Sequence, residues 1–486
     1  MPDKHAVTRG IARIGGRIVT GFVVLAVAAG VVTAAIAVPW PTLEVPPASA
    51  VVAPTPSEQQ RVCPGPVLAL AEDSSQAQAA TSVGRADAVF DARSSSSGSV
   101  EVTRSDIDAV DNLGTDSTAA PQELTVPAPE GESAAPLVAG SQSQVLATET
   151  LTGLAVAACG EAASDAWLVG GSTDVGRTSL VLLTNPTTVL ATVSLTVYGE
   201  TGVIDAPGAA GILVQPGEQR VISLAGLAPN LISPIVNVQS VGGQVVATLQ
   251  QSSIRGIEPG GIELIGATAV PALEQTIAGL NVAIEPLPEQ SSDPDAIPTV
   301  RLMTVGDAPA TVQVGVISAA GTAAGSSTQV SLEPGIATEV PFPELTVGSY
   351  SVQVSSDEPV VAAARTSAVG TAGRDFAWYP SSSELDGDFL VSVAAGPSPT
   401  LHLVNTATTD AEIVATPTTG ETLRVSVAAG ARADLPLAAS ASYVVTGGQS
   451  TIASVGYVGY VGDGQLASFA LNPAGPLAES IRVYLH

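Results

Sequence analysis

The chain has 486 residues, a formal net charge of −28, 48 glycines, 36 prolines and only 3% aromatic residues. Beyond residue 40, 44 acidic residues stand against 13 arginines and no lysine, which excludes phosphate-backbone partners, so no nucleic acid is expected. Large aromatic cores are excluded as well, and the length allows about three domains.

Residues 18–38 hold no charge and no proline. About 20 such residues in a helix cross a hydrocarbon core of about 30 Å. Lys4, Arg9, Arg13 and Arg17 precede the run and only Asp3 opposes them. The asymmetry predicts a cytoplasmic N-terminus (1–17), a transmembrane helix (18–38) and an extracellular bulk. Ala35-Ile36-Ala37 also fits a signal-peptidase site, so secretion after cleavage near Ala37 is the alternative. Residues 39–60 are proline-rich and predict an extended stalk.

Residues 61–160 contain both cysteines, Cys63 and Cys159. In an exported chain two cysteines favour one disulfide, which here closes a unit whose middle (71–145) is polar, Ser-rich and without sustained periodicity. That middle predicts mostly irregular structure with a few edge strands.

From Trp167 the pattern becomes strand-like. In Thr192–Val197 the apolar residues Val193, Leu195 and Val197 alternate with Thr and Ser, the period of a half-buried strand. Similar strand series recur three times, with Pro216-Gly217, Pro334-Gly335 and Ala429-Gly430 at the same turn. The pattern predicts an all-β fold, tandem Ig-like antiparallel β-sandwiches. The expected boundaries are 161–256 for the first sandwich, 257–298 for a connector, 299–373 for the second and 374–486 for the third. Part of the connector, Ile262 to Leu280, is a candidate for added strands. Trp167 and Trp378-Tyr379 are read as anchors that open a sandwich. A ligand-stacking platform of Trp167, Trp378 and Tyr379 is the alternative.

Chemistry-bearing residues are sparse. Histidine occurs at positions 5, 402 and 486, so a nucleophile–His–acid system beyond the apolar run would need His402 or His486. A zinc set, a Walker loop and a dinucleotide fingerprint are absent from the sequence. Asp106, Asp108 and Asp111 crowd one stretch, but it lacks the glycine and distal glutamate of a calcium loop. Ser292-Asp-Pro-Asp295 reads as a turn. No catalytic, cofactor-binding or metal residue is expected, and no cofactor.

The apolar N-terminal run, Cys63-Pro-Gly-Pro66, Leu-Leu-Thr-Asn185-Pro, Val-Tyr198-Gly and the Pro216-Gly217 turn together resemble large exported proteins of high-GC actinobacteria classed as a domain of unknown function. The resemblance spans most of residues 15–480. It implies a membrane-anchored extracellular β protein with no established activity. The expected role is non-catalytic scaffolding or protein–protein contact in the cell envelope, with an envelope protein as partner. The alternatives are binding of a cell-wall polymer (a glycan) and an envelope hydrolase.

Overall fold

The structure, a computed structural model, describes residues 23–27, 49–52, 58–70, 80–94, 98–114, 120–128, 135–284, 294–318, 323–370, 373–460, 464–472 and 481–484. The chain divides into two compact parts, residues 1–53 with 480–486, and residues 54–479.

In the small part, residues 23–27 are helical, with Val23, Val24, Leu25 and Val27 exposed. The rest of the expected membrane segment, the cleavage site at Ala37 and His486 lie outside the described residues. Among the described residues no helix is long and apolar enough to cross a membrane. Of the expected stalk, Ser49–Val52 is a strand paired antiparallel with Ile481–Tyr484, and 39–48 and 53–57 lie outside the description.

The large part is built almost wholly of strands, nearly all antiparallel, and one strand arrangement recurs three times, with two strands of copies one and three replaced by a single long strand in copy two. In the first copy, one sheet runs in the order Asp165–Val169, Ile235–Gly242, Ala191–Gly199, Ile212–Val214. Its second sheet runs Glu258–Ile265, Val246–Arg255, Arg177–Asn185, Glu218–Ser223. The third copy repeats both orders, as Phe389–Val393, Ala441–Thr446, Ala411–Pro417, Leu423–Val427 and as Leu466–Leu471, Thr451–Val458, Thr400–Asn405, Arg432–Pro436. The second copy fuses the two sheets. The 23-residue strand Gly348–Gly370 first pairs with Ala272–Val282 and Ala310–Ser318, then with Thr299–Thr304 and Gly373–Pro380. Ala323–Leu332 and Thr338–Pro341 complete it. In each copy the inward apolar residues of both sheets share one core, as the alternation of Ala191–Gly199 requires.

Two details mark the copies as equivalent. Gly217, Gly335 and Gly430 occupy the same turn at φ +71°, +68° and +66°, where a side chain would be strained. Asn185 and Asn405 lock that turn in copies one and three. Asn185 Nδ2 donates to Val189 O and Val214 O at 2.8 and 2.9 Å, and Asn405 Nδ2 to Thr409 O and Val427 O at 2.8 and 3.0 Å.

The boundaries of the copies differ from expectation. The expected connector holds the last strand of copy one (Glu258–Ile265) and the first of copy two (Ala272–Val282). The boundary expected at 373 separates Gly348–Gly370 from its hairpin partner Gly373–Pro380. Trp378 therefore closes copy two, whereas Trp167 lies on the first strand of copy one; the two tryptophans are not equivalent.

Residues 61–160 are not a separate lobe. A disulfide joins Cys63 to Cys159 with Cα atoms 4.0 Å apart. The strand Gln59–Cys63 pairs with Gln122–Val126, and Leu137–Ala147 pairs with both Asp87–Arg93 and Thr152–Ala158. The stretch expected to be irregular thus contains strands, and its gaps at 71–79, 95–97, 115–119 and 129–134 lie outside the description. Cys63-Pro-Gly-Pro66 is stitched by glutamines. Gln142 and Gln144 accept from Gly65 N and Val67 N at 3.0 and 2.9 Å. Gln219 donates to Pro64 O at 3.1 Å, and Gln250 both accepts from and donates to Leu68, at 2.8 and 2.7 Å. Prolines cannot join a ladder, and buried backbone groups need partners, so side-chain amides supply them.

Candidate functional site

Four strands converge at the centre of the large part: Thr152–Ala158, Glu258–Ile265, Gly373–Pro380 and Leu466–Leu471. Each lies at the edge of its own sheet. Two of them send alternate side chains into two different cores. Ala377 and Tyr379 fill core two, while Phe376 and Trp378 fill core one. Leu154 and Val156 fill core three, while Ala155 and Ala157 pack with Ile262 and Leu264. Leu466 enters core two although its strand belongs to copy three. The four strands thereby tie the three copies and the N-terminal sheets together.

At the crossing sits Asp375, 1% exposed. Its Oδ1 accepts from Ile262 N at 3.2 Å and Phe376 N at 3.0 Å; its Oδ2 accepts from Leu154 N at 2.8 Å and Leu466 N at 3.2 Å. One carboxylate thus satisfies an N–H from each of the four strands. Glu263, fully buried, faces the same crossing. Leu264 N donates to its Oε1 at 3.0 Å, and the backbone N–H groups of Trp378 and Ser468 also face the carboxylate. Burial raises both carboxyls well above the ordinary range, and Asp375 adds to the rise of Glu263. Backbone N–H donors oppose the rise in both, four at Asp375 and three at Glu263. Glu263 alone carries the added repulsion of the neighbouring acid, so of the two it is the more readily protonated.

Beside this crossing lies a cavity lined by Arg177, Arg255, Arg365, Arg374, Asp295 and Asp375. Asp295 comes from the turn Pro294–Ala296. Arg255 and Arg365 each donate to it at 2.6 Å, and Arg177 donates as well. Burial raises the Asp295 carboxyl, but Arg365 and Arg177 outweigh burial and hold it at about 2. The positive charge of the cavity is thus met by a carboxylate of the chain itself, and the ion pairs join copy one to copy two. A second join is Arg301, 1% exposed. It donates to Gly171 O and Pro234 O at 3.0 and 2.8 Å, and through Nε and Nη2 to Glu339 at 3.1 and 2.8 Å. Its guanidinium lies 4.5 Å from the Trp378 ring centroid.

The sequence-predicted residues fall as follows. Trp378 and Tyr379 are each 1% exposed, which corrects the stacking-platform alternative for both. Trp378 Nε1 donates to Gln251 at 2.8 Å, and the Tyr379 hydroxyl lies 3.1 Å from Thr366 Oγ1. A ring buried in a core cannot receive a sugar face. Trp167 is half-buried and stacks on Tyr198 with centroids 5.8 Å apart.

His402 is packed, and a Cβ at Gly279 would stand 2.2 Å from its ring. Asp434 Oδ1 lies 2.7 Å and Ser349 Oγ 3.4 Å from Nδ1, while Asn281 Nδ2 lies 3.3 Å from Nε2. A Ser–His–Asp system needs acid and hydroxyl on opposite ring nitrogens; here both face Nδ1, so the ring is fixed rather than poised for proton transfer. Asp111 accepts from Arg220 Nε at 2.7 Å and Val221 N at 2.9 Å, which makes it a surface latch. Among the described residues no group of three or more His, Cys, Asp or Glu is placed to hold a metal ion.

Asp375, Glu263 and Arg301 were not singled out by sequence reasoning. The signal is a charge set against an apolar run within a strand: Ile262-Glu263-Leu264-Ile265, Asp375-Phe376-Ala377-Trp378 after Arg374, and Val300-Arg301-Leu302-Met303, where Arg301 is the only charge of its strand.

Comparison with known proteins adds a family. A family of unknown function, DUF5719, matches residues 112–438, more than half of the chain. No curated protein matches the chain. A crystal structure from Thermotoga maritima, of its protein 1070, aligns with a TM-score of 0.20 and 14% identity over 23% of this chain and 92% of its own. The BSP domain of a biofilm-associated protein aligns with a TM-score of 0.12 and 10% identity over 90% and 99%. Similarity that weak carries no argument about fold or role.

Proposed function

The chain belongs to DUF5719, a family of unknown function, and we propose that it is a non-catalytic cell-envelope protein. Residues 18–38 anchor it in the membrane, and three Ig-like sandwiches are presented outside for protein–protein contact. The observation that carries this reading is how the buried polar side chains are used. Asp375, Arg301, Asp295 and His402 each bond to backbone or side-chain groups of neighbouring strands, so the groups that catalysis would need are engaged in holding sandwiches together. The disulfide supports an oxidising, extracellular setting.

The test is cross-linking on intact cells followed by purification of the chain. A co-purifying envelope protein is expected; recovery of wall polysaccharide alone would overturn the reading. Fractionation tests the anchor, because a chain found wholly in the medium rules it out. A second reading, binding of wall glycan, is favoured by one observation. Trp167 remains half-exposed, stacks on Tyr198 and shares its strand with Asp165, the kind of aromatic surface a sugar ring can cover.

A further inference from the structure

Sheet edges invite pairing, and proteins blunt them with shortness, charge, proline or cover. In the large part nearly every edge is blunted in one of these ways. Thr103–Asp106 carries Arg104 and Asp106, and Asp87–Arg93 carries Asp87, Asp91 and Arg93. Thr338–Pro341 carries Glu339 and Pro341; Arg432–Pro436 carries Arg432, Asp434 and Pro436. Glu218–Ser223 is covered by Asp108–Ala109, and Phe389–Val393 by hydrogen bonds between Ser392 and residues 139 and 141. Trp167 on the edge strand Asp165–Val169 accepts from Thr268 N at 2.9 Å.

Among the described residues Ala323–Leu332 has none of these devices. It is the outermost strand of the seven-stranded sheet and, among the described residues, pairs on one side only, with Ala310–Ser318. It runs for 10 residues, where its counterparts in copies one and three have 3 and 5. Its sequence, AAGSSTQVSL, has no charge and no proline. Ser327, Gln329 and Ser331 are exposed, while Val330 is half-buried and Leu332 buried, so its inner face is anchored in core two.

We propose that this edge pairs with the same edge of a second copy of the chain, antiparallel and two-fold, joining the two sheets into one. The inference deepens the protein–protein reading given above by naming the surface and the partner. A second copy fits because an uncharged strand can lie against itself without setting like charges opposite one another, and a two-fold axis makes one patch serve both subunits. A net charge of −28 per chain opposes the approach, so salt strengthens the pairing by screening that repulsion.

The test is sedimentation of the full-length chain in mild detergent at low and moderate salt. A dimer that tightens with salt is expected. The double substitution Gln329→Lys with Ser331→Lys places like charges across the axis and is expected to weaken association about tenfold or more, with the melting temperature unchanged at dilutions where both proteins are monomeric. Ser426→Lys, on the short counterpart strand of copy three, is expected to leave the dimer intact. A wild-type chain that stays monomeric at every salt concentration overturns the proposal. So does a dimer indifferent to the lysines, or an edge that captures a foreign strand in place of a second copy. None of these failures touches the cell cross-linking test, which reads partners of any kind.

Discussion

Gly153 and Asp375 touch across two sheets, so closely that a Cβ on Gly153 would stand 2.5 Å from Asp375 Oδ1. Gly153 also sits at φ +128°, a backbone conformation that side chains resist. Its missing side chain lets the carboxylate reach Leu154 N on the next residue. Gly153→Ala is therefore expected to cost backbone strain of roughly 1–3 kcal/mol and, in addition, the displaced hydrogen bond. Gly208→Ala is the control: its φ is +88°, but nothing lies within 4 Å of its Cβ position, so only the strain appears. Denaturant unfolding of both variants checks the difference, and equal losses would mean that the contact with Asp375 carries no weight.

The two acids at the crossing predict an unusual pH dependence. The folded-state pKa of Glu263 is raised. Its contribution is therefore fully present below the ordinary glutamate value of about 4.3 and is lost as pH rises through the raised value. Glu263→Gln keeps the neutral form at every pH. The variant is expected to match the parent near pH 4 and to gain on it steadily toward alkaline pH. Asp375→Asn behaves differently, because its amide turns a donor toward two N–H groups. A loss of about 2–6 kcal/mol is expected, since each buried N–H left without an acceptor costs about 1–3 kcal/mol. Unfolding midpoints over a pH series check both; a flat difference for Glu263→Gln would mean that burial does not raise its carboxyl.

Much of this architecture was legible because local chemistry and final environment agreed. The alternation in Ala191–Gly199 and the three Gly turns announced half-buried strands and a repeat. The central strands were not legible for the opposite reason. Gly373–Pro380 is buried on both faces, in two different cores, so it shows no alternation, and its Trp and Tyr passed for the opening of a domain. The N-terminal strands were missed because their burial is polar. Ser141, Gln142, Ser143 and Gln144 are all at most 6% exposed, yet in sequence they look like a linker. Asp375 gave only the clue of a charge inside an apolar strand, and a carboxylate that binds four backbone N–H groups has no motif, since its partners contribute no side chains.

Breaking the Cys63–Cys159 bridge is expected to act mainly through the unfolded chain. The bridge closes a loop of 96 residues, and the chain-entropy model assigns such a loop about 4–5 kcal/mol. The glutamine bonds around Pro64–Leu68 do not depend on the sulfur atoms, so the folded state of Cys63→Ser with Cys159→Ser is expected to persist. Denaturant unfolding of the double variant should show a lower midpoint and a steeper dependence on denaturant, because the freed chain exposes more surface. An unchanged midpoint would show that the unfolded chain gains no freedom when the bridge is removed.

The Asp295 cluster gives the opposite sign from Glu263. Burial alone would raise this carboxyl, yet Arg365 and Arg177 bring it down to about 2 from an ordinary value near 3.8. A group lowered in this way contributes stability above its ordinary pKa and loses it as pH falls toward the folded value. Nearly two pKa units correspond to about 2.5 kcal/mol at neutral pH. Asp295→Asn is expected to lose about that amount at pH 7, leaving Arg177, Arg255 and Arg365 facing one another without their shared acceptor. Near pH 2 the variant and the parent should converge, since the parent is then half protonated at this site. Asp295 is only 17% exposed, so moderate salt should recover little of the loss, in contrast to a surface pair. A deficit that disappears in salt would mean that the arginines are held by solvent-facing attraction rather than by a buried latch between copies one and two.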